Sequence, residues 1–182
     1  MSLPFLKNIP PNLKKFLLRS IIVFVAWKLL YHLVLYPIRI PDKQLTHITA
    51  YTTQKLVQLN YPNDIIRTEL VNHPLPKENV FKNNKKIVGI ADGCNGLELY
   101  ILYIGFLVCF PHTTKKLFVF AITGIATIFI LNTIRSYVIT LLNINGSSVS
   151  EVAHHYIFKI IIYGVMFLLW VKYTRLNEKN EH

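Results

Sequence analysis

Four blocks of apolar residues constrain the fold of this chain more than any other feature. Of its 182 residues 52% are hydrophobic, and the mean hydropathy is positive. A transmembrane helix needs about 20 predominantly apolar residues, and the blocks come near or exceed that length. The sequence therefore predicts an all-α integral membrane protein with a single domain, residues 1–182. About four spans are expected, at 16–36, 96–111, 117–142 and 152–171.

The positions of the basic residues predict the orientation of these spans, because cytoplasmic loops are enriched in Lys and Arg. Basic residues flank the first span on its N-terminal side, fill the loop between the second and third spans, and follow the fourth span: Lys7, Lys14, Lys15, Lys115, Lys116, Lys172 and Arg175. The loop 143–150 contains no Lys or Arg. We therefore expect both termini in the cytoplasm, a multi-pass protein of the inner or plasma membrane, and one long external loop, residues 37–90.

The external loop is predicted to contain some regular structure. A partly amphipathic stretch, Leu45–Leu59, is typical of a short interfacial helix. The segment Val80–Val88 resembles a hairpin that turns at Asn83 and Asn84. This hairpin would deliver the chain to the segment around Cys94.

The net charge of +11 raises the possibility of a nucleic-acid partner, which the distribution of charge argues against. The basic residues lie at the ends of apolar blocks and form no stripe, and no nucleic-acid motif is recognisable. We expect this charge to set topology and to meet anionic lipid headgroups, so membrane lipids are the predicted partners. The sequence has no H-E-x-x-H motif, no clustered Cys/His spacing and no glycine-rich nucleotide loop, so neither a metal nor a cofactor is predicted.

The segment 91–98, Ala-Asp-Gly-Cys-Asn-Gly-Leu-Glu, places a thiol immediately before the second span. Asn95, followed three residues later by Glu98, is typical of a helix cap with its reciprocal carboxylate. Unpaired N–H groups at a helix start stabilise a thiolate, which makes Cys94 a candidate nucleophile. The alternative is that Cys94 is a small buried residue in a turn. Cys109 lies about 22 Å along the same helix, too far to form a disulfide with Cys94.

Two further spans bring ionisable residues to the same side of the membrane. Arg135 lies roughly 10 Å below the outer end of the third span, and His154 and His155 begin the fourth. An arginine at that depth costs at least about 2.5–3.5 kcal/mol, so a charge placed there is a functional candidate. The alternatives for Arg135 are snorkelling outward or pairing with Glu98.

Helical periodicity predicts which of the two histidines faces the bundle. Residues four apart share a helix face, and counting from His155 gives the polar residues Glu151, Lys159 and Tyr163. The face of His154 carries apolar residues instead. We therefore expect His155 to face inward and His154 to face lipid or headgroups.

A thiol, a guanidinium and an imidazole at one depth suit acyl transfer. A thiolate attacks a peptide carbonyl, an acyl thioester forms, and donors stabilise the oxyanion and protonate the leaving amine. Arginine supplies fixed donors, whereas histidine can also move protons near neutral pH.

These residues resemble the exosortase and archaeosortase family, in particular its short F-type members. The segment Asp92–Leu97 is similar to the family's small-Cys-small-Gly-Leu motif, Asn132–Arg135 is similar to its N-x-x-R motif, and the histidine pair falls where the family has a histidine. The resemblance covers roughly residues 88–171. It differs at Asn95, where serine or alanine is more usual, and no glycine follows the histidines within a turn.

The resemblance implies a membrane cysteine protease or transpeptidase that acts through an acyl thioester on Cys94. Its substrates would be exported proteins that end in a sorting signal, which consists of a short motif, a transmembrane helix and a basic tail. Transfer to an envelope lipid or glycan acceptor would follow, at the extracytoplasmic face. The implied catalytic residues are Cys94, Arg135 and a histidine of the pair, supported by Asn132.

Two other functions remain open on sequence alone. A non-catalytic membrane scaffold or assembly subunit would use the external loop as its partner surface. A small transporter would use Lys28, Glu98 and Arg135 to line a path, although four spans are few for that role and no pair of broken-helix repeats is visible.

Overall fold

The computed structural model describes residues 11–72, 75–110 and 113–178. Helix α1, Pro11–Leu30, continues through a π-helical segment, Tyr31–Leu35, into α2, Tyr36–Ile38. Helix α3, Asp42–Asn60, is followed by strands β1, Ile66–Val71, β2, Lys77–Lys82, and β3, Lys85–Ala91. A 3₁₀ turn, Asp92–Cys94, precedes α4, Leu97–Cys109, and α5, Thr114–Ile144. Helix α6, Val149–Val152, continues through a π-helical segment, Ala153–Ile157, into α7, Phe158–Glu178.

Three helical stretches in the described residues are long and apolar enough to cross a membrane: Leu13–Ile38, Thr114–Ile144 and Val149–Arg175. They contain the predicted first, third and fourth spans in full. The predicted second span corresponds to α4, whose 13 residues extend for about 20 Å, less than the roughly 30 Å of a hydrocarbon core. The count of four spans is therefore not confirmed. Lys7, which was used to predict the orientation, and Pro111, the predicted end of the second span, lie outside the described residues.

The polar segment between α2 and α4 is folded, and it contains the feature that the sequence-based fold class missed. Strands β1, β2 and β3 form an antiparallel sheet in that order, so the prediction of an all-α protein is wrong. The predicted interfacial helix lies within α3, and the predicted hairpin is confirmed. Its turn residues Asn83 and Asn84 have positive φ angles of 48° and 66°, which asparagine tolerates better than most residues.

Strand β1 was not predicted because three of its six residues are polar and they do not alternate strictly with apolar ones. Contacts from elsewhere hold it in place. It pairs with β2 from Ile66 to Val71. Two glutamines of α3 bind its first residue: Gln54 donates to the carbonyl of Ile66 at 2.9 Å, and Gln58 accepts from the N–H of Ile66 at 3.3 Å. Tertiary hydrogen bonds of this kind leave no local pattern in the sequence.

Two hydrophobic cores lie along the molecule. The first joins α4, α5 and α7 and consists of Tyr100, Tyr103, Leu107, Ile128, Ile162, Met166 and Tyr173. The second lies between α3 and the sheet and consists of Ala50, Val57, Ile66, Val80 and Ile90. Tyr137 and Ile144 of α5 and the side chain of Cys94 pack against the second core. Helix α5 therefore contacts both cores, and Cys94 lies at the edge of the second.

Gly124 marks a close contact between α5 and the Tyr103 side chain of α4. A Cβ atom at this position would lie 1.9 Å from Cε1 of Tyr103, a fully buried side chain whose hydroxyl donates to the carbonyl of Phe120 at 3.0 Å. Because the ring is buried and hydrogen-bonded, it has no room to move aside. The contact between Gly124 and Tyr103 therefore requires glycine at position 124.

We predict that Gly124→Ala destabilises the protein by about 1–3 kcal/mol through overpacking, despite the higher helix propensity of alanine. The measurement is the thermal unfolding midpoint of the purified protein in detergent. The matched control is Gly164→Ala on α7, where a Cβ atom would meet nothing within 4 Å. Equal midpoints for the two variants would contradict this account of the α4–α5 contact.

Candidate functional site

The segment between β3 and α4 holds Cys94 in a fixed backbone conformation. Asp92–Cys94 forms a single 3₁₀ turn, and Gly96 has a φ of 87°, a left-handed value that glycine adopts without strain. The backbone also passes close to Asn132, whose Nδ2 donates to the carbonyl of Cys94 at 3.1 Å. A Cβ atom at Gly96 would lie 3.5 Å from the same Nδ2, an ordinary van der Waals distance, so it is the positive φ of the turn that favours glycine here.

The predicted helix cap forms only in part. Oδ1 of Asn95 accepts the N–H of Leu97 at 2.9 Å, so Asn95 does satisfy a backbone donor at the helix start. The reciprocal role predicted for Glu98 is wrong. Its side chain is 84% exposed and forms an ion pair with Lys28 at 3.8 Å, and an exposed pair of this kind adds little stability.

The structure brings Arg135 to the sulfur of Cys94. Nη2 of Arg135 lies 3.9 Å from Sγ, and Nη1 donates to Oδ1 of Asn132 at 3.4 Å. Asn132 and Arg135 are three residues apart on α5 and share one face of the helix. Asn132 is 1% exposed and therefore connects the backbone of Cys94 to the guanidinium from a fixed position.

His154, not His155, faces this cluster. Nη2 of Arg135 lies 3.1 Å from Nδ1 and 3.4 Å from Nε2 of His154, whose side chain is half-buried. His155 is exposed, and its ring contacts the ring of His154 edge-on. The orientation predicted from helical periodicity is therefore wrong.

The π-helical segment Ala153–Ile157 explains this error. A π-type turn adds one residue relative to an α-helical turn, so residues five apart share a face across it. Counting in fours from Lys159 leads back to His155, whereas counting in fives leads to His154. The prediction assumed a regular α-helix through the start of the fourth span.

A cavity of about 320 Å³ lies beside the Cys94 segment. Its polar lining combines Arg135 and Lys159 with the carboxylates of Asp42, Asp92 and Glu98. Gly93, Asn95, Gly96 and Leu97 form the wall that belongs to the segment itself. A group bound in this cavity would contact the backbone on either side of the thiol and the guanidinium of Arg135.

Several residues close to the site were not identified from sequence. Arg39, Asp42 and Thr46 contact Asp92 and Asn95, although they lie more than 40 positions away in the chain. No motif marked them, because their relation to Cys94 arises only when α3 packs against the segment. Cys109 is buried within α4 away from this cluster, and both cysteines are free thiols.

The described residues contain no group of three or more His, Cys, Asp or Glu side chains arranged to hold a metal ion. The carboxylates near Cys94, those of Asp42, Asp92 and Glu98, are instead paired with other side chains. The guanidinium of Arg135 and the backbone groups beside Cys94 suit recognition of an oxyanion or of a polar peptide backbone.

These features define a multi-pass membrane protein with a thiol, a guanidinium and an imidazole gathered at one end of its helical bundle. The family model of the transmembrane exosortases matches residues 13–171. The chain therefore belongs to the transmembrane exosortase family, and the family resemblance inferred from sequence is confirmed. Comparisons with curated proteins and with solved structures gave no match.

Proposed function

We propose that this protein is a membrane cysteine transpeptidase or protease in which Cys94 is the nucleophile. The observation that carries the proposal is the position of Arg135, whose Nη2 lies 3.9 Å from the sulfur and 3.1 Å from His154. A guanidinium between a thiol and an imidazole supports acyl-transfer chemistry. Membership of the exosortase family points to the same class of reaction.

The proposed reaction begins with attack of the Cys94 sulfur on a peptide carbonyl. The thiol proton passes to His154, a carbon–sulfur bond forms, and the carbonyl oxygen becomes an oxyanion. The C–N bond then breaks, and the leaving amine takes the proton from His154. The resulting acyl thioester is cleaved by water or by an acceptor nucleophile, which regenerates the thiol.

Arg135 is proposed to act as the fixed donor in this sequence. A guanidinium only donates hydrogen bonds, so the nitrogen of His154 that faces it accepts and the imidazole is neutral. A neutral imidazole has one accepting nitrogen, so in the proposed step that nitrogen releases Arg135 before it takes the thiol proton. In the transition state the same guanidinium can donate to the oxyanion, an interaction that typically contributes several kcal/mol. Asn132 holds Arg135 in orientation.

The proposed substrates are exported proteins with a C-terminal sorting signal of a short motif, a transmembrane helix and a basic tail. The multi-pass helical architecture suits a substrate that is itself anchored in the membrane. The proposed location is the inner or plasma membrane with the site at the extracytoplasmic face. Transfer to an envelope lipid or glycan is the proposed second step.

We predict that Cys94→Ala abolishes processing of such substrates while expression and membrane insertion remain normal, because the covalent route is lost. Processing is measured as the mass of exported proteins with a C-terminal apolar helix and a basic tail. A hydroxylamine-labile adduct between enzyme and substrate should form in the wild type and be absent in Cys94→Ala. The matched control, Cys109→Ala, should process normally, and normal processing by Cys94→Ala would instead favour the scaffold alternative.

Arg135→Lys should reduce the processing rate by more than about tenfold although it preserves the charge, because an ammonium cannot reproduce the planar fork of donors. The rate is measured against wild-type protein at matched expression. Retention of more than about a tenth of the activity, a loss below about 1.4 kcal/mol, would indicate that Arg135 acts as a general positive charge.

His154→Ala should reduce the rate roughly 100-fold or more, the range expected for loss of an acid–base group. His155→Ala is the matched control, because the exposed His155 ring should be replaceable at small cost. Cleavage rates of the two single variants decide between the histidines. An inactive His155→Ala beside an active His154→Ala would overturn the assignment of His154.

A further inference from the structure

Two glycines lie in the segment that carries Cys94. Gly93 and Gly96 flank the pair Cys94–Asn95, and a Cβ atom at Gly93 would meet nothing within 4 Å. Glycines have more backbone freedom than other residues, so contacts from outside the segment must fix the position of the sulfur. Besides the contact from Asn132, those contacts come from α3 and from Arg39, which lies three residues before α3.

Thr46 binds the residues on both sides of the thiol. Its Oγ1 donates to Oδ1 of Asp92 at 2.7 Å and accepts from Nδ2 of Asn95 at 3.3 Å. Asp92 lies two residues before Cys94, and Asn95 follows it directly. Thr46 is 1% exposed and Asn95 is 2% exposed, so water cannot readily replace these hydrogen bonds.

Two further side chains complete the arrangement. Nε and Nη2 of Arg39 donate to the two carboxylate oxygens of Asp92 at 3.0 and 3.1 Å, a two-point contact that fixes orientation as well as charge. Asp42, 3% exposed, accepts from Nδ2 of Asn95 at 2.8 Å and from the hydroxyl of Tyr31 at 2.9 Å. The donors and acceptors around Thr46 are thus themselves held in place.

We propose that Thr46 is a positioning residue that sets the location of the Cys94 sulfur against Arg135, with Arg39 and Asp42 as its supporting partners. The inference rests on the proposed role of Cys94 as the reactive group. A single hydroxyl joins the positions before and after the thiol, so its removal leaves Asp92 held by Arg39 and Asn95 held by Asp42, with nothing that connects the two ends of the glycine-flanked segment. The sulfur then moves away from the guanidinium.

The experiment measures how the charge of a thiol reagent affects its reaction with Cys94. Purified protein in detergent, carrying Cys109→Ala, reacts with an anionic and with a cationic methanethiosulfonate, and the ratio of the two rates is normalised to that of a small thiol in solution. Because the positive charge of Arg135 lies next to the sulfur, the anionic reagent should be favoured by about tenfold in the parent protein. Arg135→Gln should remove this preference.

The test variant is Thr46→Val, which removes the hydroxyl and keeps the shape of the side chain. We expect the preference for the anionic reagent to fall to about that of Arg135→Gln, and the double variant to show no further change. Thr46→Ser should restore the preference, because it restores the hydroxyl. The matched control is Thr53→Val, since Thr53 is equally buried on the same helix and its hydroxyl has no hydrogen-bond partner among the described residues.

Arg39→Lys provides a second test should Thr46→Val fail to fold, because it keeps the charge and loses the two-point contact with Asp92. Arg39→Lys should also lower the preference for the anionic reagent. Retention of the parent preference in Thr46→Val, or in Arg39→Lys, would overturn the proposal, as would a parent protein without any preference. The measurement needs no substrate, so its failure is distinct from failure of the processing assay with Cys94→Ala.

Discussion

The guanidinium of Arg135 is the charge on which the arrangement of this protein depends. It lies within α5, a 31-residue helix that is otherwise largely apolar, where an unpaired charge costs several kcal/mol. Its surroundings supply Oδ1 of Asn132 from the same helix, the sulfur of Cys94, and a ring nitrogen of His154. Satisfying one cation therefore draws together three parts of the chain, and those parts carry the proposed chemistry.

The folded polar segment gives the thiol a fixed position relative to this charge. Tyr137 and Ile144 of α5 pack against the core beneath the sheet, so the helix that carries Arg135 also supports the structure that precedes Cys94. Strand β3 leads directly into the 3₁₀ turn, and α3 binds the residues on either side of the thiol. Contacts from α3 and α5 can thus hold the glycine-flanked thiol in place.

Features with a local cause were predictable from the sequence. The long apolar helices, the helix that contains 45–59 and the hairpin at Asn83–Asn84 each follow from periodicity or turn chemistry over a few residues. Strand β1 was missed because its sequence lacks a strict apolar–polar alternation, and β2 and two glutamines of α3 hold it in place. The reciprocal cap by Glu98 was wrong because the N–H of Asn95 donates to the carbonyl of Asp92 instead, a contact that only the turn before α4 creates.

The sequence by itself determined that a thiol, a guanidinium and two imidazoles lie at a similar height along neighbouring helices. Position along a helix follows from a rise of about 1.5 Å per residue. That reasoning placed Cys94, Arg135 and the histidine pair together. Only the tertiary structure decided that His154 faces Arg135, because direction around the axis depends on a π-type turn that local periodicity does not reveal. It also decided that Arg39, Asp42 and Thr46 hold the thiol segment, because hydrogen bonds between residues more than 40 positions apart form only when α3 packs against it.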